Sequence, residues 1–318
     1  MQRYTLSIQP QTAFATPLKG DTLFGQACWL IRHCYGEATL TQLLTAYTDK
    51  QPFMVVADAT PQGYIPRPTV PLSLLGFDIG DPQQRKQLKA KKWLPEAVLS
   101  TPLQKWHQAA LSDSEMLQQM GESGDLFKTG SQMHNSLNRK TGTTGSDAGF
   151  APFQRHITWY HPHILLNIIV EIDSERFSMA QLQEIFTLMG AQGYGKEASC
   201  GLGKFSLQAI TQTEVIKAQQ ADAFLSLAPC APQGQLWQTQ HCYYQIFTRF
   251  GRHGDLAVHS GKPFKNPILM ADSYALFTPQ TWAEKSFCGQ GLHGISKAIP
   301  DTVQQGYAPI HLINRGSI

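Results

Sequence analysis

Four groups of residues have the types and spacing to do chemistry. The first is a glycine loop, Gly193-Tyr194-Gly195-Lys196-Glu197-Ala198-Ser199-Cys200-Gly201-Leu202-Gly203-Lys204. Glycines let a backbone come close to a ligand, and exposed amides beside Lys196 and Lys204 suit a phosphate backbone. It is no Walker loop, because no Gly-Lys-Ser/Thr opens a following helix. It fails as a Rossmann fingerprint too, since it follows a helix and precedes a strand. A flexible helix-to-strand connection is the plain alternative.

The second group runs from Phe127-Lys128-Thr129-Gly130 through His134-Asn135-Ser136-Leu137-Asn138-Arg139-Lys140-Thr141-Gly142-Thr143-Thr144-Gly145, with Phe150 and Phe153 beyond. Phosphates take Arg, Lys, Ser, Thr and amides, while unstacked bases take aromatic or apolar platforms. A solvated surface loop is the plain alternative. In the third group Arg85, Lys89 and Lys92 are spaced four and three along one helical face, which also suits simple solvation. The fourth is histidine: His134, His156, His161 and His163. Imidazoles near a basic loop have the chemistry for acid–base cleavage of RNA. However, His161-Pro162-His163 has no carboxylate nearby in sequence, so no metal site is expected and structural or solvated histidines are the reading.

The elements that must position these groups are legible from periodicity. Tyr4, Leu6 and Ile8 alternate with Thr5 and Ser7, a strand over Arg3–Gln9. Leu23, Phe24, Ala27, Cys28, Ile31, Cys34 and Tyr35 form one helical stripe, with Asp21 as the expected N-cap and Gly36 as the stop. Phe53–Ala57 is a second strand, and the proline-rich Pro61–Pro68 suits neither helix nor central strand. Residues 82 to 121 read as helical and basic, residues 128 to 150 as a loop or hairpin. Ile164–Ile172 is a buried strand, Ser178 to Gln181 fits a capping box, and the helix through Leu182, Ile185, Phe186 and Met189 is expected to stop at Gly190. A strand through Leu207 follows the glycine loop. The order is therefore the split βαβ, ferredoxin-like one. Further strands are expected at Tyr243–Phe247, Ile268–Met270, Tyr274–Phe277 and Ile310–Ile313.

The chain has 318 residues, is 42% hydrophobic and 15% charged, and so can bury a real core, in two domains. No apolar run reaches the roughly 20 residues of a membrane helix, and no signal peptide is evident, so a soluble, cytoplasmic protein is expected. Six cysteines without a Cys-x-x-Cys argue against a zinc knuckle and suggest no disulfide framework. Net charge is only +3, but between Leu126 and Val170 the sole acid is Asp147. Such a modest charge predicts weak binding of RNA by the isolated chain.

Several ordered motifs together resemble a known family. They are Thr16-Pro17-Leu18-Lys19-Gly20-Asp21-Thr22-Leu23-Phe24-Gly25-Gln26, Ala57-Asp58-Ala59-Thr60-Pro61-Gln62-Gly63-Tyr64-Ile65-Pro66-Arg67-Pro68 and Lys91-Lys92-Trp93-Leu94-Pro95. The segment His134–Gly142, the glycine loop, Phe264-Lys265-Asn266-Pro267-Ile268-Leu269-Met270 and Gln305-Gly306-Tyr307-Ala308-Pro309 extend the likeness over nearly the whole chain. The chain resembles the CRISPR-associated RAMP superfamily, in the group that caps the 5′ tag of CRISPR RNA (crRNA), and is most similar to the capping subunit of the type III-A Csm complex. A capping subunit of a compact type I variant is the neighbouring possibility.

The resemblance implies an α+β fold of two tandem ferredoxin-like modules, with a helical basic insertion and a thumb-like hairpin within Lys128–Phe150. Its boundaries would be 1–211 (including the insertion 82–160), a linker 212–240, and a second module 241–318. It implies no catalysis, no cofactor and no metal. Partners would be the crRNA tag, target RNA or DNA, a neighbouring backbone RAMP subunit and a large effector subunit, with no membrane. RNA contacts are then expected at Lys19, Lys128, His134, Asn135, Asn138, Arg139, Lys140, Arg155, Gly193, Gly195, Lys196, Gly201, Gly203 and Lys204. Met133 or Leu137 would act as a wedge against a base pair, and Arg85, Lys89 and Lys92 would lie against nucleic acid. The competing reading is a metal-independent endoribonuclease using His134 with Lys128, or His156.

Overall fold

The computed structural model describes residues 1–78, 85–144, 151–259 and 261–316, with only the backbone for residues 85, 255 and 256. The chain is α+β and mostly antiparallel sheet. Its first half is built on β1 (Gln2–Pro10), α1 (Gly20–Tyr35), α2 (Glu37–Leu44) and β2 (Met54–Val56). Short strands β3 (Thr60–Pro61) and β4 (Tyr64–Pro66) follow, then α3 (Arg85–Ala90), β5 (Trp93–Pro95) and α4 (Asp113–Gln119). A hairpin of β6 (Phe127–His134) and β7 (Phe153–Tyr160) precedes β8 (Leu166–Ile172), α5 (Met179–Gln192) and β9 (Phe205–Thr213).

The main sheet has the order β2-β8-β1-β9, with antiparallel pairs throughout. That is the order the strand, helix, strand, strand, helix, strand pattern requires. The apolar alternation of β1 sends Leu6 and Ile8 to the face covered by α1 and α5, where Leu23, Phe24, Ile31, Leu182, Ile185 and Phe186 bury with them. The capping box is present: Ser178 Oγ accepts from the Gln181 amide, and the Gln181 side chain reaches the Ser178 amide. Gly190 lies inside α5, which ends at Gly193.

The start of α1 differs from expectation. The helix begins at Gly20, and its amide donates to Asp58 Oδ1 at 2.8 Å. Asp21 is instead buried and paired with Arg249 through two contacts of 2.6 and 2.7 Å. The capping carboxylate thus comes from 38 residues away rather than from the helix's own first turn.

Residues 82–121 also differ. Prolines 95 and 102 break the stretch, leaving two short α-helices, two 3-10 turns (Glu96–Ser100 and Leu103–Ala109) and the β4–β5 pair. Residues 79–84 lie outside the described residues. Leu94, Leu99, Leu103 and Trp106 bury against Leu225, Leu276 and Ile313, so this segment packs on the second half of the chain.

That second half contains β10 (Ala223–Ser226), β11 (Ile246–Arg249), β12 (Ile268–Ala271), β13 (Leu276–Phe277), β14 (Phe287–Gly289) and β15 (Tyr307–Ile313). The second sheet is ordered β13-β10-β15-β14, and β11 pairs β12 as a separate ribbon. Among the described residues after Gln192 there is no α-helix, so this half does not repeat the helix-covered plan of the first. The stretch 212–240, read as a linker, carries β10, whose Ala-Phe-Leu-Ser is wholly buried beside β15. The strand itself is only four residues, and Leu227, Ala228 and Cys230 just beyond it are buried as well. All six cysteines are free.

Arg3, held in an ion pair buried within the first half, also ties the two halves together. Arg3 Nε lies 2.6 Å from Glu171 Oε1, directly across the β1–β8 register. Arg3 Nη2 donates to the Ser286 and Ile310 carbonyls of the second half, both at 2.9 Å. His311 is buried beside it with both ring nitrogens unpartnered. Burial and the Arg3 charge push its pKa down to about 3.

Candidate nucleic-acid interface

The glycine loop begins where α5 ends. Gly193, Gly195, Gly201 and Gly203 all have φ between +73 and +97°. A Cβ at Gly203 would lie 2.1 Å from the Tyr194 carbonyl oxygen, so no larger residue fits there without a backbone shift. The loop folds back on itself, with the Tyr194 amide donating to the Gly203 carbonyl at 2.9 Å. Its amides are largely spent internally. Gly195 donates to Gln26 Oε1, Lys196 to Thr16 Oγ1, Gly203 to the Ala13 carbonyl and Lys204 to Thr12 Oγ1, all at 2.8–2.9 Å. The expected cradle of open amides is therefore replaced by side-chain presentation. Lys196 is exposed and Lys204 half-buried.

The hairpin is longer than expected, because its return strand β7 lies beyond Phe150. Opposed residues of an antiparallel pair share a face. One face carries Lys128 opposite Trp159, Gln132 opposite Arg155, and His134 opposite Phe153. Trp159 and Phe153 are exposed, and His134 stacks on Phe153 with centroids 5.6 Å apart. Trp159 is a candidate base platform that the sequence reading did not single out. The period-two run from Phe153 to Tyr160, aromatic at three positions, was the available signal. Met133 and Leu137 are 64% and 63% exposed, apolar groups held in solvent.

At the tip, Asn138 Oδ1 accepts from the Lys140 amide at 3.0 Å, and the Asn138 backbone pairs with Thr143 and Gly142. Asn138 thus shapes the turn that holds Arg139 and Lys140 outward, both exposed, as is Asn135. Gly145, Gly149 and Phe150, the far part of the expected hairpin, lie outside the described residues.

Hairpin and glycine loop are tied together. Arg155 Nη2 meets Glu197 Oε2 at 2.7 Å, with both side chains largely buried. Phe14 exchanges two backbone hydrogen bonds with Thr158, at 2.8 and 2.9 Å. Segment 11–19, which binds the glycine loop on one side, therefore binds β7 on the other. Arg155 is spent on this joint.

Lys19 does not join the set. Its ammonium lies 2.6 Å from Asp272 and 3.1 Å from Asp58, and it sits over the Phe247 ring. Its charge is neutralised within the fold. Lys92 lies 3.4 Å from Asp113 near the foot of β6, and Lys89 is exposed on the short α3. The Arg85 side chain lies outside the described residues.

The histidines separate. His134 and His156 stand on opposite faces of the ribbon, and Lys128 is six residues from His134 along one strand, about 20 Å. None of these pairs can act on one phosphate as placed. His161 and His163 do have a carboxylate, Glu122, which sequence distance concealed.

A second exposed surface lies on the β11–β12 ribbon. Ile246 and Leu269 share its outer face at 74% and 65% exposure, with Phe250 and Phe264 exposed nearby. The inner face carries Phe247 and Arg249, the latter pinned by Asp21.

No family model and no curated protein matches the chain. Solved structures do. The structure of a Csm3–Csm4 subcomplex of the type III-A CRISPR–Cas interference complex contains a chain 12% identical, with a TM-score of 0.63, covering 99% of this chain and 100% of that one. Csm1–Csm4 cassettes solved with pppApA and with cA4 match at 11% and 12% identity, TM-scores 0.58 and 0.57, over 98–100% of both chains. In each the similar chain is Csm4. The fold of this chain, end to end, is that of these subunits.

Proposed function

We propose that the chain is a non-catalytic subunit of a CRISPR effector complex, binding and capping the crRNA 5′ tag and positioning the guide–target duplex. The observation that carries this is the joint between hairpin and glycine loop. Through Arg155–Glu197 and Phe14–Thr158, one connected unit carries Lys196 and Lys204 as well as Lys128, Arg139, Lys140 and the Trp159 and Phe153 rings. Cations hold phosphates and rings stack on unpaired bases, so single-stranded RNA beside a duplex is the fitting ligand. The full-length likeness in fold to Csm4 supports the same reading.

In this reading the tag runs over the glycine loop, with its phosphates on Lys196 and Lys204. The hairpin reaches to the tag–guide boundary, where Met133 or Leu137 separates a base pair. The β11–β12 ribbon, apolar and outward, docks a neighbouring RAMP subunit or a large effector subunit. The two-module description is supported by two sheets, one in each half, although a shared apolar cluster packs the halves together. The separation of His134, His156 and Lys128 speaks for binding over cleavage. Lys89 and Lys92 are exposed or only loosely paired, and a role against target DNA would fit a type I variant.

The reading is tested on complexes reconstituted with labelled crRNA in EDTA. The RNA stays intact, and Lys196→Ala with Lys204→Ala weakens its retention, with a salt slope shallower by up to about 1.4. An unchanged slope would place the tag elsewhere, and a discrete cut would make the protein a nuclease.

A further inference from the structure

Glu122, His161 and His163 stand at the foot of the hairpin, one before β6 and two after β7. His163 Nδ1 lies 3.0 Å from Glu122 Oε1, and His161 Nε2 lies 4.0 Å from Glu122 Oε2. One ligand atom from each of the three residues falls within 4.8 Å of the other two. Ligands held about 2 Å from a tetrahedral zinc-type ion stand roughly 3.3 Å from one another, so the three atoms must close by up to about 1.5 Å, a change that side-chain rotation supplies.

The backbone has already brought these groups together. The His161 amide donates to the Leu126 carbonyl at 3.0 Å, which closes the base of the ribbon. Pro162 fixes the chain between the two imidazoles, whose rings meet edge to face at 5.6 Å. His161 Nε2 lies 3.1 Å from the Ser123 carbonyl, a contact it would exchange for the ion. His161 is largely buried and His163 largely exposed, so the site is anchored on one side and reachable from solvent on the other. Two imidazoles and a carboxylate suit zinc and its neighbours rather than magnesium or calcium, which take oxygen ligands.

We propose that Glu122, His161 and His163 bind one divalent d-block ion of the zinc class, which clasps the two ends of the hairpin and restrains its swing. The site is independent of the RNA-binding reading, because its readout is the metal itself. Full-length, tag-free protein stripped with chelator is titrated with Co2+, then with Zn2+. The expected result is one equivalent of Co2+ giving tetrahedral visible bands, displaced by Zn2+. His163→Gln, a surface change that leaves folding intact by circular dichroism, weakens binding about tenfold or more, as does Glu122→Gln. Cys34→Ser with Cys200→Ser, which removes the exposed thiols, leaves it unchanged. Zn2+ also slows hydrogen exchange across residues 127–134 and 153–160 in the parent protein and not in His163→Gln. Binding that survives His163→Gln, or that is lost with the thiols, overturns the site. Unchanged exchange on adding Zn2+ overturns the clasp.

Discussion

Replacing Arg3 with methionine lowers the unfolding free energy by about 3–5 kcal/mol, measured by urea denaturation of the isolated chain. The substitution strips the partner from Glu171, a carboxylate with no solvent exposure, and removes the donor to the Ser286 and Ile310 carbonyls. An uncompensated buried charge costs far more than a surface ion pair. Arg3→Met combined with Glu171→Leu recovers much of the loss, because an apolar pair removes both charges together. A single substitution costing under about 1 kcal/mol would show that the pair is no strut between the halves. The same cluster sets a pH dependence. His311 is held neutral with a folded pKa of about 3, against 6.5 ordinarily. Once unfolded it binds a proton below pH 6.5, so its contribution to stability is present above that value and is lost as pH falls toward 3. Without Arg3 the folded pKa rises, and the window narrows from its acid end.

Removing the apolar tip of the hairpin changes target pairing without changing the fold. Met133→Ser with Leu137→Ser leaves stability within roughly 0.5 kcal/mol, since both side chains already stand in solvent. In the assembled complex the first guide nucleotides then lose their distinctive reactivity to chemical probes and read as paired. Unstacking a base costs a few kcal/mol, which only an inserted side chain supported by flanking phosphate contacts can offset. Deleting residues 132–144 gives the larger effect of the same sign, with the crRNA still capped. Identical reactivity with and without the tip would end the wedge proposal, while leaving the tag contacts at Lys196 and Lys204 to stand or fall on their own salt slope.

Local physical chemistry was enough for the framework. Alternation in Arg3–Gln9, the apolar stripe of α1, the Ser178 capping box and the isoleucine-rich run before Ile172 each act within a few residues, so they were legible in sequence and gave the split βαβ order. Exposure of Lys196, Arg139 and Lys140 was legible too, because ionised lysine and arginine side chains in glycine- and hydroxyl-rich loops stay in water. What the tertiary structure alone decided is which distant groups meet. Asp58 rather than Asp21 caps α1, Lys19 is consumed by Asp58 and Asp272, and Glu122 reaches His163 across 41 residues. The amides of the glycine loop were taken by Thr12, Ala13, Thr16 and Gln26, although the same glycines read as open to phosphate. A local pattern specifies a residue's own conformation, whereas the partner of a buried charge or amide is whatever group the closed sheets bring within 3 Å. That choice is made by packing over hundreds of residues, and no spacing along the chain encodes it.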